Sequence, residues 1–169
     1  MKLDDHYRVG AAHARACELV DEVLRSFGTV RLQVTGSSML PSVWPGDTLI
    51  IERQGVREVA VGDILLYCRK GRLIAHRVVS KPDTLEKSRV AVRGDAFPGP
   101  DELLLYSEIL GTVSRIVRGK KSILPPSRLK YHHRLIGILT WQSDLFARLV
   151  ICVHSICSAA HWREVSWKR

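Results

Sequence analysis

Three side chains able to carry out acyl transfer stand in order along the chain: Ser38, His76 and Asp101. A serine hydroxyl is a weak nucleophile at neutral pH and needs a base within about 2.6–3.2 Å to take its proton. Histidine suits that task, and a carboxylate on its second ring nitrogen fixes the tautomer and steadies the imidazolium. Ser38 lies in Val34-Thr35-Gly36-Ser37-Ser38-Met39-Leu40-Pro41-Ser42-Val43-Trp44-Pro45-Gly46-Asp47. A strand-like run stops there at a glycine and two serines, and a Pro-Gly-Asp turn opens the next run. Gly36 permits the bend, while Pro41 and Pro45 stiffen the exit. The pattern mounts a hydroxyl at a strand end on a rigid bend, as a nucleophile requires. Taken singly, each residue also has a plainer reading. Gly-Ser-Ser is an ordinary loop, and His76, in Leu73-Ile74-Ala75-His76-Arg77-Val78, is a hydrogen-bonded core histidine. Asp101 caps the turn Pro98-Gly99-Pro100, and Lys70, the other nearby base, is solvated in a Lys-Gly turn.

The elements that must position these side chains follow from periodicity. Residues 5–27 place Ala11, Ala14, Leu19, Val20, Val23, Leu24 and Phe27 near a 3.6-residue repeat ending at Gly28, which predicts an amphipathic helix. From Thr29 to Val117 the pattern changes to short runs rich in Val, Ile, Leu and Tyr. They predict strands at 29–35, 48–53, 63–69, 72–80, 89–94 and 111–117. Turn markers such as Gly62-Asp63, Lys70-Gly71 and Gly94-Asp95 separate them, and no helix-length period intervenes. The expectation is a mainly β, α+β chain, with a compact antiparallel sheet or barrel flanked by N- and C-terminal helices. Its divisions fall at 1–28 (helix), 29–118 (β domain) and 119–169 (basic linker and C-terminal amphipathic helix).

Composition narrows the classes. Hydrophobic residues make up 46% and charged residues 25%, as in a folded globular chain and unlike a disordered one. The net charge of +9 is localised. Up to Val117 there are 16 Lys/Arg and 15 Asp/Glu; from Arg118 on there are 10 and 2. A basic C-terminal stretch carrying Trp141, Trp162 and Trp167 suits an anionic membrane surface, and packing on the domain or on a second copy is equally compatible. No helix-turn-helix, zinc-finger or RNA-binding signature accompanies the charge, so nucleic acid is not an expected partner. No run of 18 apolar residues and no secretory leader are read, which makes a peripheral membrane or cytoplasmic protein the expectation. The four cysteines (Cys17, Cys68, Cys152, Cys157) show no CxxC pair and no regular spacing, and a reduced, buried or idle role is expected of them. His154, Cys157 and His161 share a helical face and are read as packing residues, so neither metal nor cofactor is expected.

Four boxes recur in order: Gly36-Ser37-Ser38-Met39-Leu40-Pro41, Gly62-Asp63-Ile64-Leu65, His76-Arg77-Val78-Val79, and Arg93-Gly94-Asp95 with Asp101 beyond. Over roughly half the chain this resembles the type I signal peptidase family, which shares its β-fold with the LexA-type self-cleaving repressors. The resemblance implies that Ser38, directly before Met-x-Pro, is the nucleophile. Most bacterial members carry a lysine where His76 stands, so the chain is similar to the Ser-His branch of archaea and the endoplasmic reticulum. There Asp101 would orient His76, Asp95 would shape the site, and Gly36, Ser37 and Met39 would frame the oxyanion position with the Ser38 N–H. Many members place a hydroxyl where Gly36 stands, and typical members have an N-terminal membrane anchor where this chain has the helix over 5–27. The implied activity is serine endopeptidase cleavage of precursor or signal peptides after small residues. A LexA-like self-cleaving regulator and a non-catalytic module recruited to membranes are the alternatives.

Overall fold

The computed structural model describes residues 2–55, 58–81, 89–96, 99 and 101–127. Helix α1 (Lys2–Phe27) leads into β1 (Thr29–Gln33), β2 (Thr48–Glu52), β3 (Ile64–Arg69), β4 (Arg72–Ser80), β5 (Arg89–Arg93), β6 (Glu102–Leu105), β7 (Ile109–Arg118) and β8 (Lys121–Ile123). A single 3₁₀ turn, Tyr106–Glu108, separates β6 from β7. The eight strands form one open antiparallel sheet in the order β1-β2-β7-β3-β4-β5-β6, with β8 also on β7. The class is therefore α+β and β-dominant. Two strands go beyond the sequence reading. The acidic start of β6 lies behind a Pro-Gly-Pro stretch that reads as turn, and β8 is a three-residue run within a segment that reads as linker. The predicted helix of the C-terminal region lies outside the described residues, as do Trp141, Trp162, Trp167 and the His154, Cys157, His161 face.

Register is set by turn chemistry. Lys70 and Gly71 both have positive φ (51° and 74°) between β3 and β4, the geometry of a two-residue hairpin loop. With that loop closed, Arg69 faces Arg72, Tyr67 faces Ile74, Leu65 faces His76 and Ile64 faces Arg77. Alternation then gives β3 two buried faces. Ile64 and Leu66 join Val20 and Leu24 of α1, Met39, Val43, Leu49, Ile51, Val113 and Ile116 in one cluster. Leu65 and Tyr67 join Val59, Val78, Val90, Val92 and Leu104 in the other. Burying a side chain such as Leu24 or Ile64 from water contributes about 1.5–3 kcal/mol, so the first cluster anchors α1 to the sheet.

A covalent link adds to that packing. Cys17 of α1 and Cys68 of β3 form a disulfide, with Cα atoms 6.0 Å apart. For these two residues this corrects the expected reduced, buried or idle role, because helix packing brings together cysteines 51 positions apart; Cys152 and Cys157 lie outside the described residues. The chain after β7 also belongs to the domain. Pro126 accepts a hydrogen bond from Arg77, and the Ser127 carbonyl occupies the place a side-chain carbon on Gly62 would take. No helix of the described residues is long and apolar enough to cross a membrane.

Candidate functional site

Ser38 sits on the loop joining β1 and β2. Leu40 N–H donates to the Ser37 carbonyl (3.1 Å) and Val43 N–H to the Met39 carbonyl (3.0 Å), so the segment coils into tight turns. Met39, Leu40 and Val43 are buried and pin the loop to the core. Gly46 and Val34 N–H groups close its base, donating to Val34 and Asp47 carbonyls (2.8 Å each). Two arginines clamp the far side. Arg118 grips Asp47 (2.9 and 2.8 Å), donates to the Ser42 carbonyl and stacks over Trp44 at 5.8 Å. Arg77 reaches Ser42 Oγ at 3.2 Å. Ser38 itself stays exposed at the crest.

Arg77 and Asp95 form a buried bidentate ion pair (2.8 and 2.7 Å), and Arg77 also donates to the Gly62 and Pro126 carbonyls. Every face of this guanidinium is occupied, which makes the desolvation of the pair tolerable. The pair ties β4, the segment after β5 and the Ser38 loop together. Asp95 thus reaches the Ser38 loop through Arg77, which contacts Ser42.

Gly94 is where the two halves meet. Ala96 N–H donates to the Ser38 carbonyl at 2.9 Å. A side-chain carbon on Gly94 would lie 2.7 Å from the Ser38 carbonyl oxygen and 3.2 Å from His76 Nε2. Only a residue without a side chain permits that approach. The Nε2 edge of His76 therefore faces the Ser38 segment. Among the described residues no hydrogen bond joins Ser38 Oγ to His76, and the Ser38 N–H has no acceptor. A nucleophile and its base commonly tighten onto each other only when substrate binds.

The opposite edge of the imidazole faces Tyr67, whose hydroxyl is 2.9 Å from His76 Nδ1, with the rings edge to face. The same hydroxyl donates to Glu102 Oε2 at 2.5 Å, and Glu102 is 3.8 Å from His76 Nδ1. Glu102 is paired with Arg69, which also grips Glu108 (3.0 and 3.2 Å) and the Leu103 carbonyl. Burial pushes the His76 pKa below its usual 6.5, against the opposing pull of the Glu102 and Asp95 carboxylates. Burial, reinforced by Glu102, drives the Tyr67 phenol well above its usual range, so it keeps its proton.

Asp101 is placed otherwise than the sequence reading had it. It is exposed and paired with Arg93 at 3.2 Å, while Nδ1 of His76 is taken by Tyr67. Register explains this: β6 pairs with β5 from Glu102 onward, and Glu102, one residue along, points to the histidine. Sequence reasoning missed Tyr67, Arg69, Glu102 and Arg118. A signal for Tyr67 was present, because the two-residue Lys70-Gly71 turn sets Tyr67 diagonal to His76 on one face.

Beside Ser38 opens a cavity of about 510 Å³. Its walls are the end of β1 and the residues after it (32–36), the first half of β4 (72–75), and His13 and Ala16 of α1. Gly36 and Met39 line it, and beyond Gly36 there is open space. Among the described residues no three His, Cys, Asp or Glu side chains are gathered to hold a metal ion. No model of a known protein family matches the chain, and no curated protein matches it.

Proposed function

We propose that this chain is a serine endopeptidase of the signal peptidase type, with the β-fold that family shares with LexA-type peptidases. Ser38 is the nucleophile and His76 the general base. The observation that carries the reading is the approach at Gly94, where the Ser38 segment of the β1–β2 loop and the Nε2 edge of a neutral-held imidazole on β4 converge.

The chemistry runs in two halves. As Ser38 Oγ attacks a substrate carbonyl, its O–H bond breaks and the proton passes to Nε2; the carbonyl oxygen takes the displaced electron pair. The Ser38 backbone N–H, which has no acceptor among the described residues, is a donor for that oxyanion, and each such donor is worth about 10²–10³ in rate. The C–N bond then breaks, the amine leaves with the proton from Nε2, and water repeats the sequence on the acyl-enzyme.

The groove supports an extended peptide. Among the described residues β1 pairs only with β2, and β4 before Arg77 pairs only with β3. Among the described residues both bordering backbones present an unpaired edge to an added strand, and the apolar cavity receives alternate side chains. Small residues one and three positions before the cut are the proposed preference.

Wild type and Ser38→Ala are to be incubated with precursor peptides bearing small residues before a cleavage point. Cleavage by wild type alone supports the proposal. Equal behaviour of the two proteins removes it, and a single self-cut without activity on added peptide points to a self-cleaving regulator instead.

A further inference from the structure

The Tyr67 hydroxyl has one proton and two neighbours that could accept it, His76 Nδ1 at 2.9 Å and Glu102 Oε2 at 2.5 Å. The Glu102 carboxylate faces Arg69 and is held on β6. A charge-assisted bond to a carboxylate is roughly twice as strong as a neutral one, so the phenolic proton belongs to Glu102. The phenolic oxygen then has its lone pairs facing Nδ1, and Nδ1 must be the protonated ring nitrogen. That leaves the lone pair of the imidazole on Nε2, the edge turned to Gly94 and Ser38.

From this geometry we infer that Tyr67 and Glu102 are positioning residues that hold His76 in its base-competent tautomer, the part the resemblance gives to Asp101. This rests on the reading of His76 as the general base. No proton moves along the relay. Only the Ser38 O–H bond breaks and the Nε2–H bond forms, while Nδ1–H stays where it is. The imidazolium so made sits 3.8 Å from Glu102, whose negative charge stabilises it through the intervening hydroxyl. Arg69, anchored on Glu108 and the Leu103 carbonyl, keeps Glu102 in place. Among the described residues the charged and titratable groups facing His76 are thus Tyr67 on β3, Glu102 on β6 with Arg69 behind it, and Asp95 after β5. Tyr67 is fully buried, so no water competes for the hydroxyl.

Tyr67→Phe keeps the ring and removes the relay. Side-chain nitrogen NMR of histidine at pH 7.5 is expected to show His76 protonated on Nδ1 in wild type and shifted toward protonation on Nε2 in Tyr67→Phe, with the fold intact by circular dichroism. On a cleaved peptide, Tyr67→Phe is expected to lower kcat by about 10²-fold at unchanged KM, within the roughly 10²–10⁴ that a general base supplies. Asp101→Asn is expected to leave both constants near wild type. An unchanged tautomer in Tyr67→Phe overturns the inference, as does a loss of kcat in Asp101→Asn as large as in Tyr67→Phe. The NMR arm needs no substrate, so it reads the relay even where wild type cleaves nothing and the peptidase reading itself fails.

Discussion

Replacing Gly94 by alanine adds one methyl group at the meeting point of Ser38 and His76. The new carbon would stand 2.7 Å from the Ser38 carbonyl oxygen, and ordinary contact begins near 3.4 Å, so about 0.7 Å must be made up. The oxygen cannot simply yield, because Ala96 N–H holds it at 2.9 Å and the buried Met39 and Leu40 follow it in the chain. Nor can the imidazole retreat freely, since Tyr67 holds its other edge. The backbone at Gly94 is not in the left-handed region, so the effect is steric alone. Overpacking of this kind costs about 1–3 kcal/mol. In a chain of this size each kcal/mol lowers Tm by about 2–4 °C. A displacement approaching 1 Å at the reacting groups costs up to about 10²-fold in rate. The assay is kcat/KM on a cleaved precursor peptide together with a thermal melt. Gly55→Ala is the control, because its added carbon meets only the end of the Glu58 side chain at 3.9 Å. The expected result is a loss of about 10- to 10²-fold and a lowered Tm for Gly94→Ala, with Gly55→Ala unaffected in both. Full activity and an unchanged melt in Gly94→Ala would refute the close approach on which the site is built.

Other perturbations test the supporting structure. Asp95→Asn leaves the Arg77 guanidinium buried without its counter-charge, and denaturant titration is expected to show a loss of about 3–5 kcal/mol; a loss below 1 kcal/mol contradicts the buried pair. On the proposed mechanism the base form of His76 is the active one, and burial lowers its pKa, so kcat/KM is expected to rise with pH through a midpoint below 6.5. The same shift makes the unfolded chain bind this proton more readily, so the stability His76 contributes is full above pH 6.5 and is lost as pH falls from there to the folded value. An acid limb centred at 6.5 or higher contradicts the assignment. Cutting the Cys17–Cys68 link with a dithiol, or by Cys17→Ser, releases a loop spanning 51 positions. Chain entropy puts that loss at about 4 kcal/mol, and intact-mass measurement before and after reduction checks the bond itself.

Much of the frame was legible in the chain because local rules wrote it. The helix over 5–27, the strands at 48–53, 63–69 and 72–80 and the hairpin at Lys70-Gly71 follow from period and turn chemistry, and the structure places them within a few residues. The bend at Gly36-Ser37-Ser38 was legible for the same reason. Strand β6 was hidden, because its four residues open on a glutamate after a Pro-Gly-Pro stretch and gain strand geometry only by pairing with β5.

What tertiary structure alone decided is which distant groups touch. Cys17 and Cys68 bond because Val20 and Leu24 dock α1 on the sheet, a consequence of packing that no cysteine spacing encodes. The histidine's neighbour is Tyr67, backed by Glu102, and Asp101 goes to Arg93, because strand register turns successive side chains in opposite directions. Residue types and motifs determined the chemistry on offer; pairing of strands, a long-range effect of backbone hydrogen bonding and core burial, chose the partners.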